Sequence, residues 1–261
     1  MFPKYGLTMR KRQKFVFSSL LLTLGFYFMQ LASLELRYAL IVFLVATTWV
    51  LAAWSLREGL VGIEWFTVLT PPSIFSGAMA LFYVLLPQFW LAKVAVVILY
   101  LIGIYALLLC GNIFSVAAIR TIALLRAAQT VGFIITLVIG FMLYNTLFSF
   151  HLGFWFSAPI IFFVTLLLSF PALWSVEVGE KWDKKLMILS LVISIWVAMF
   201  SLAISFWPVS LSMSSLFLTT MLYSLLGITQ HHISQRLNIR MIWEYLIVSG
   251  IVAIITLFVS I

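Results

Sequence analysis

The chain has 261 residues, 65% of them hydrophobic and 8% charged, with a mean hydropathy of +1.22. A water-soluble domain carries about a quarter charged residues, so a soluble globular fold is excluded. The formal charge of +8 sits in short segments between apolar runs, which is a membrane-topology pattern rather than a nucleic-acid footprint, and the one cysteine, Cys110, leaves no intramolecular disulfide.

The first apolar run, Phe15–Leu34, follows Lys4, Arg10, Lys11, Arg12 and Lys14. It is longer than a signal-peptide core of about 7–15 residues, and "QLAS" lacks small residues at both cleavage positions, so it reads as a retained signal-anchor. Met9 offers a second translation start. Seven further runs follow: Tyr38–Leu56, Leu91–Leu109, Val131–Phe150, Trp155–Leu173, Leu186–Phe206, Leu211–Ile228 and Ile242–Ser260. Each holds about 18–21 mostly apolar residues, enough to cross a hydrocarbon core of roughly 30 Å as a helix.

"GIEWFTVLTPPSIFSGAMALFYVLLPQ", residues 62–88, is the uncertain member, because Pro71-Pro72 interrupts it. Charge decides whether it crosses. With the N-terminus inside and nine spans, Arg37 and Lys93 alone fall outside, and the other 13 of the 15 basic residues lie inside. With eight spans the same residues divide 7 inside to 8 outside. The stretch therefore crosses. Its prolines predict a half-segment over 63–70, a break at Pro71-Pro72, and a helix continuing to Leu86. The expected architecture is an all-α, polytopic transmembrane bundle of about nine spans, one domain over residues 1–261, N-terminus inside and C-terminus outside.

Two of the inside connections are long. Cys110–Thr130 is too apolar for a free loop; Asn112 is a reasonable N-cap, so a separate interfacial helix is expected there, with Ser115, Arg126 and Gln129 on one stripe and Arg120 off it. In "SVEVGEKWDKK", Glu177 and Glu180 each precede a lysine by four residues, the order that favours helical ion pairs, so a solvated helical extension is expected.

No ionisable side chain stands in the middle of any span, which argues against a carboxylate-based ion pump. His231-His232 suggests metal, but adjacent helical side chains diverge and His151 lies on the other side. No catalytic, cofactor or metal site is assigned. Glu64 invites two readings: an interfacial carboxylate paired with an inside base, or the mouth of a water entry at the proline break. The sharper form of the second is a cytoplasmic-face polar pocket of Glu64, Arg120, Arg126, His231 and His232. Ser190, Ser194, Ala198, Ser201 and Ser205 put small residues on one face of the Leu186–Phe206 span, where a neighbouring helix, in this chain or in a membrane-protein partner, can approach closely.

Two stretches, "GIEWFTVLTPPSIFSGAMALFYVLLP" and "NIFSVAAIRTIALLRAAQTVGFIITL", resemble a family of uncharacterised polytopic proteins from candidate-phylum bacteria with reduced genomes. The resemblance covers about residues 60 to 150. It implies a bacterial inner-membrane location and brings no activity, cofactor or site residue. The residues leave three functions open: a non-catalytic membrane component or accessory subunit, which the lack of catalytic motifs favours; a transporter or flippase for a small or lipidic substrate; and a membrane enzyme acting on a lipid-linked substrate at the cytoplasmic face. The expected surroundings are the lipid bilayer of the cell membrane, with no nucleic acid.

Overall fold

The structure, a computed structural model, describes residues 10–87, 89–117, 124–179 and 181–259. These residues form ten helices and no strand. The first five are α1 (Lys11–Leu31), α2 (Leu34–Leu56), α3 (Glu64–Thr67), α4 (Thr70–Leu85) and α5 (Trp90–Ala117). They are followed by α6 (Leu125–Ser149), α7 (Phe154–Glu177), α8 (Lys184–Ser205), α9 (Leu211–Ile233) and α10 (Ile239–Val259). Taking α3 and α4 as one broken segment, the described residues contain nine helices long and apolar enough to cross a membrane. The expected all-α, nine-span bundle is therefore what the chain forms.

Short connections make successive spans run antiparallel. The starts of α1, α3, α6, α8 and α10 gather at one end of the bundle, termed the near end, and the opposite end is the far end. Among the described residues, Arg37 and Lys93 are the basic residues at the far end.

The helices pack as two groups. In one, α1, α2, α4 and α5 surround Tyr100, and in the other α6, α7, α8 and α9 surround Tyr144; both tyrosines are fully buried. The groups meet where α4 and α5 touch α6, while α10 packs mainly on α9. In apolar surroundings a hydroxyl or carboxamide needs a partner, and the pairs found join helices. Tyr100 Oη lies 2.8 Å from Ser76 Oγ, which lies 2.9 Å from Thr48 Oγ1, tying α5 to α4 and α2. Tyr144 Oη is 2.8 Å from Thr165 Oγ1 on α7. Asn145 Nδ2 donates to Ser215 Oγ on α9 at 3.0 Å. Ser224 and Ser249 bring their hydroxyls to 2.6 Å between α9 and α10.

The predicted break lies just before Pro71. Helix α3 ends at Thr67, α4 begins at Thr70, and the two prolines occupy the first turn of α4. Val68 and Leu69 stay in the right-handed helical region, at φ −88° and −87°. The interruption is thus one of hydrogen bonding, since Pro71 and Pro72 have no N–H to donate one turn back. It is not a reversal of direction.

Two local expectations are overturned. Asn112 is not an N-cap: α5 runs straight through it to Ala117. Tertiary packing holds this stretch, because Gly111 lies against Val68 and Leu56, and Ser115 is buried beside Gly59. The solvated extension after α7 does not form either. The helix stops at Glu177, and Val178 turns into the left-handed region at φ 44°. That conformation is costly for a β-branched residue; Trp174 Nε1 donates to Gly179 O at 2.9 Å and fixes the turn. Asp183 then caps α8 by accepting from the Lys185 N–H at 2.8 Å. Glu180 lies outside the described residues.

The small-residue stripe of α8 is occupied within the chain. Ser190, Ser194 and Ser201 are fully buried, and Ser169 on α7 donates to the Ser190 carbonyl at 3.5 Å. The close approach expected of small residues is made by α7.

Candidate functional site

Four helices leave a space between them at the near end. It is a cleft of about 640 Å³, walled by the first three turns of α6, the last turn of α7, the last turn of α9 with the turn that follows, and the second turn of α10. Arg126 and Gln129 come from α6, Glu177 from α7, Gln230 and His231 from α9, and Tyr245 from α10. Arg236 and Ser234 close the rim from the turn after α9.

The two glutamines explain why the cleft has a polar wall. Gln129 Nε2 donates to the carbonyls of Ser175 and Val176 at 2.7 and 3.3 Å. Gln230 Nε2 donates to Ala172 O at 2.9 Å. The last carbonyls of a helix have no partner inside it, and Gln129 supplies one for Ser175 and Val176 of α7, while Gln230 adds a donor to a carbonyl one turn deeper. Because the carbonyls can only accept, the nitrogen side of each amide is fixed, and each Oε1 is left as an acceptor.

The charges stand differently. Among the described residues the ion pairs are Lys11 and Lys14 with Glu58, none of which lines the cleft. Arg126 and Arg236 therefore line the cleft with no described carboxylate within salt-bridge distance, although Glu177 lines it too. Two of its hydroxyls are turned back on their own helix, Thr130 donating to Arg126 O at 3.1 Å and Ser234 to Gln230 O at 2.8 Å, while the third, on Tyr245, lies against Gly227 of α9. The His231 ring packs on Tyr245, centroids 6.1 Å apart.

Of the five residues named from the sequence, the structure brings Arg126 and His231 into this one cleft. Side chains one residue apart on a helix diverge by about 100°, and His232 is exposed outside it. Arg120 lies outside the described residues. Glu64 does not line the cleft. It is fully buried, with Oε2 accepting the Val61 N–H at 3.2 Å, so it is not the open mouth of a water entry. Gln230, Arg236, Glu177 and Tyr245 were not singled out for the pocket; a glutamine in the end turn of an apolar helix was the available signal for the first.

Two other polar features flank the spans. Beside the broken helix, a cavity of about 40 Å³ is lined by Thr67, Val68, Pro71 and Pro72, with Gly111 of α5 and Pro171 of α7 opposite. That is room for a few water molecules. At the far end, Arg37 is buried, donating through Nη2 to Ala32 O at 3.1 Å and lying 5.8 Å from the Tyr83 ring centre. The nearby Gln30 carboxamide is buried with neither polar atom hydrogen-bonded. Among the described residues, no cluster of three metal-ligating side chains occurs.

A bundle of nine apolar spans, with charge confined to its ends, defines a multi-pass membrane protein. Comparison with known proteins places it further: the chain belongs to the family described as "Protein of unknown function (DUF5656)", whose model matches residues 20–259. No curated protein and no solved structure matches it.

Proposed function

We propose that this is a non-catalytic component of a bacterial inner membrane, with the near end in the cytoplasm, the C-terminus outside, and the near-end cleft as its working surface. The positive-inside bias supports the orientation, because among the described residues every Lys and Arg except Arg37 and Lys93 belongs to a near-end segment. The observation that carries the reading is the cleft itself, a ligand-sized space with two guanidinium groups that have no carboxylate partner among the described residues. Binding fits it better than nucleophilic chemistry, since the Thr130 and Ser234 hydroxyls both point back to their own helices. A transport route through the break fits less well, because about 40 Å³ is far below the roughly 300 Å³ of a small-molecule site.

A Ser234→Cys variant tests it, since Ser234 is exposed at the rim and the native Cys110 is buried. A membrane-impermeant maleimide should label it in inside-out vesicles and not in right-side-out cells. Labelling from the outside alone would invert the orientation and remove the cytoplasmic reading.

A further inference from the structure

We infer that the near-end cleft is a seat for a phosphate oxyanion, that of an anionic lipid headgroup or of a soluble phosphate ester. The inference deepens the proposed function by naming the ligand of its working surface.

Three features point to it. The first is charge without a partner. Arg126 and Arg236 line one space, and among the described residues neither has a carboxylate partner. Guanidinium is the side chain best matched to a phosphate, because its planar fork donates two parallel hydrogen bonds to two oxygens. Glu177 subtracts one charge, so the arginines leave the cleft net positive before His231 is counted.

The second is depth. From Arg126 to Phe133 is seven residues along α6, about 10 Å at helical rise. A headgroup layer is roughly 5–8 Å thick on each side of the hydrocarbon core. The cleft thus runs from headgroup level into the first layer of apolar walls, where Phe133 and Tyr245 stand. A phosphate held at the rim with a glycerol or acyl segment below would meet a matching surface at each level.

The third is the pair of fixed acceptors. With both amide nitrogens turned to α7, Gln129 and Gln230 offer Oε1 atoms to a hydroxyl donor. A phosphate ester that also carries free hydroxyls satisfies the arginines and the glutamines together. A zwitterionic choline headgroup has no hydroxyl to give.

The test uses the full chain, reconstituted in bilayers of phosphatidylcholine with a minor share of phosphatidylglycerol, then extracted and examined for retained lipid by native mass spectrometry. Wild type should retain phosphatidylglycerol. Arg126→Gln/Arg236→Gln should reduce that retention about 30-fold, with an unchanged melting temperature in pure phosphatidylcholine, since both side chains are exposed. Lys184→Gln/Lys185→Gln makes the same charge change outside the cleft and should leave retention close to wild type. Millimolar inorganic phosphate separates the sources: displacement of the lipid assigns the seat to soluble phosphate esters, and persistence assigns it to the headgroup. Equal loss in the two double variants, or no retention by wild type together with no protection by phosphate, would overturn the proposal. Neither result depends on which side the cleft faces, so the orientation stands or falls separately.

Discussion

The Tyr245 ring fills the place that a side chain at Gly227 would take: a Cβ there would lie 2.5 Å from two of the ring carbons. Glycine thereby lets α10 lie close on α9, with the Ser224–Ser249 hydroxyl pair one turn away on the α9 side. Little else holds α10, whose outer face carries exposed Ile247, Ile251 and Phe258.

Gly227→Ala should therefore loosen α10 and widen the cleft that Tyr245 walls. Forcing a methyl into a filled contact costs about 1–3 kcal/mol, partly offset by alanine's better helix propensity. Thermal melting in detergent should drop, and Ser234→Cys should label faster in the alanine background. Gly250→Ala, where an added Cβ meets nothing within 4 Å, is the control and should be neutral or slightly stabilising. Equal melting of the two variants would show that the ring moves aside freely.

Gln30 predicts a gain rather than a loss. Its carboxamide is buried with no hydrogen-bond partner at either atom, a penalty of about 1–3 kcal/mol. Gln30→Met keeps the side-chain shape and removes both polar atoms, so the melting temperature should rise. A fall would mean that the amide is satisfied in the membrane by something that Met cannot replace.

Glu58 gives the near end a pH-dependent clamp. Its carboxylate lies 2.7 Å from Lys14 Nζ and 3.6 Å from Lys11 Nζ. The hydrogen bond from Lys14, and then the charge of that lysine, hold its pKa below the ordinary 4.5. A depressed folded value means that the contribution is complete above the ordinary pKa and is lost as pH falls through the folded one. The pair is exposed, so the effect is small and salt-sensitive. The difference in midpoint between wild type and Glu58→Gln should be measurable at neutral pH in low salt and vanish in acid. A difference that widened in acid would assign the clamp to other groups.

The spans were legible because lipid imposes one rule on all of them, about 20 apolar residues with every backbone group bonded inside. The break was legible for the same kind of reason, since proline lacks an N–H wherever it stands. Asn112 was misread because capping propensity is a local signal, and the packing of Gly111 on Val68 outweighs it. The cleft was half legible. Arg126 and His231 stood out as charged or titratable groups at span ends, but they are more than 100 residues apart in sequence. Their meeting depends on α6 packing against α9, which no periodicity within either helix encodes. Glu64 misled for a related reason: its place at the start of an apolar run says nothing about the neighbours that cover it.

Those neighbours give the last prediction. Water reaching the break from the near end would have to pass Glu64 and Thr67, and these are 0% and 2% exposed. Leu69, at the break itself, is 0% exposed, and Val68 packs against the place where Gly111 has no side chain. The cavity of about 40 Å³ beside Pro71 and Pro72 is therefore not reached along the Glu64–Thr67 side. Cysteine at position 67 is close in size to threonine and should leave the packing intact. Thr67→Cys and Glu64→Cys should both stay unlabelled by an impermeant maleimide from either side of the membrane, while Ser234→Cys labels from one. After denaturation each should label at two thiols, the introduced one and the native Cys110, which shows that the new thiol is present and unoxidised. Labelling of Thr67→Cys in folded protein at the rate of Ser234→Cys would establish an open water path to the proline break, and with it a transport route in place of a closed, structural one.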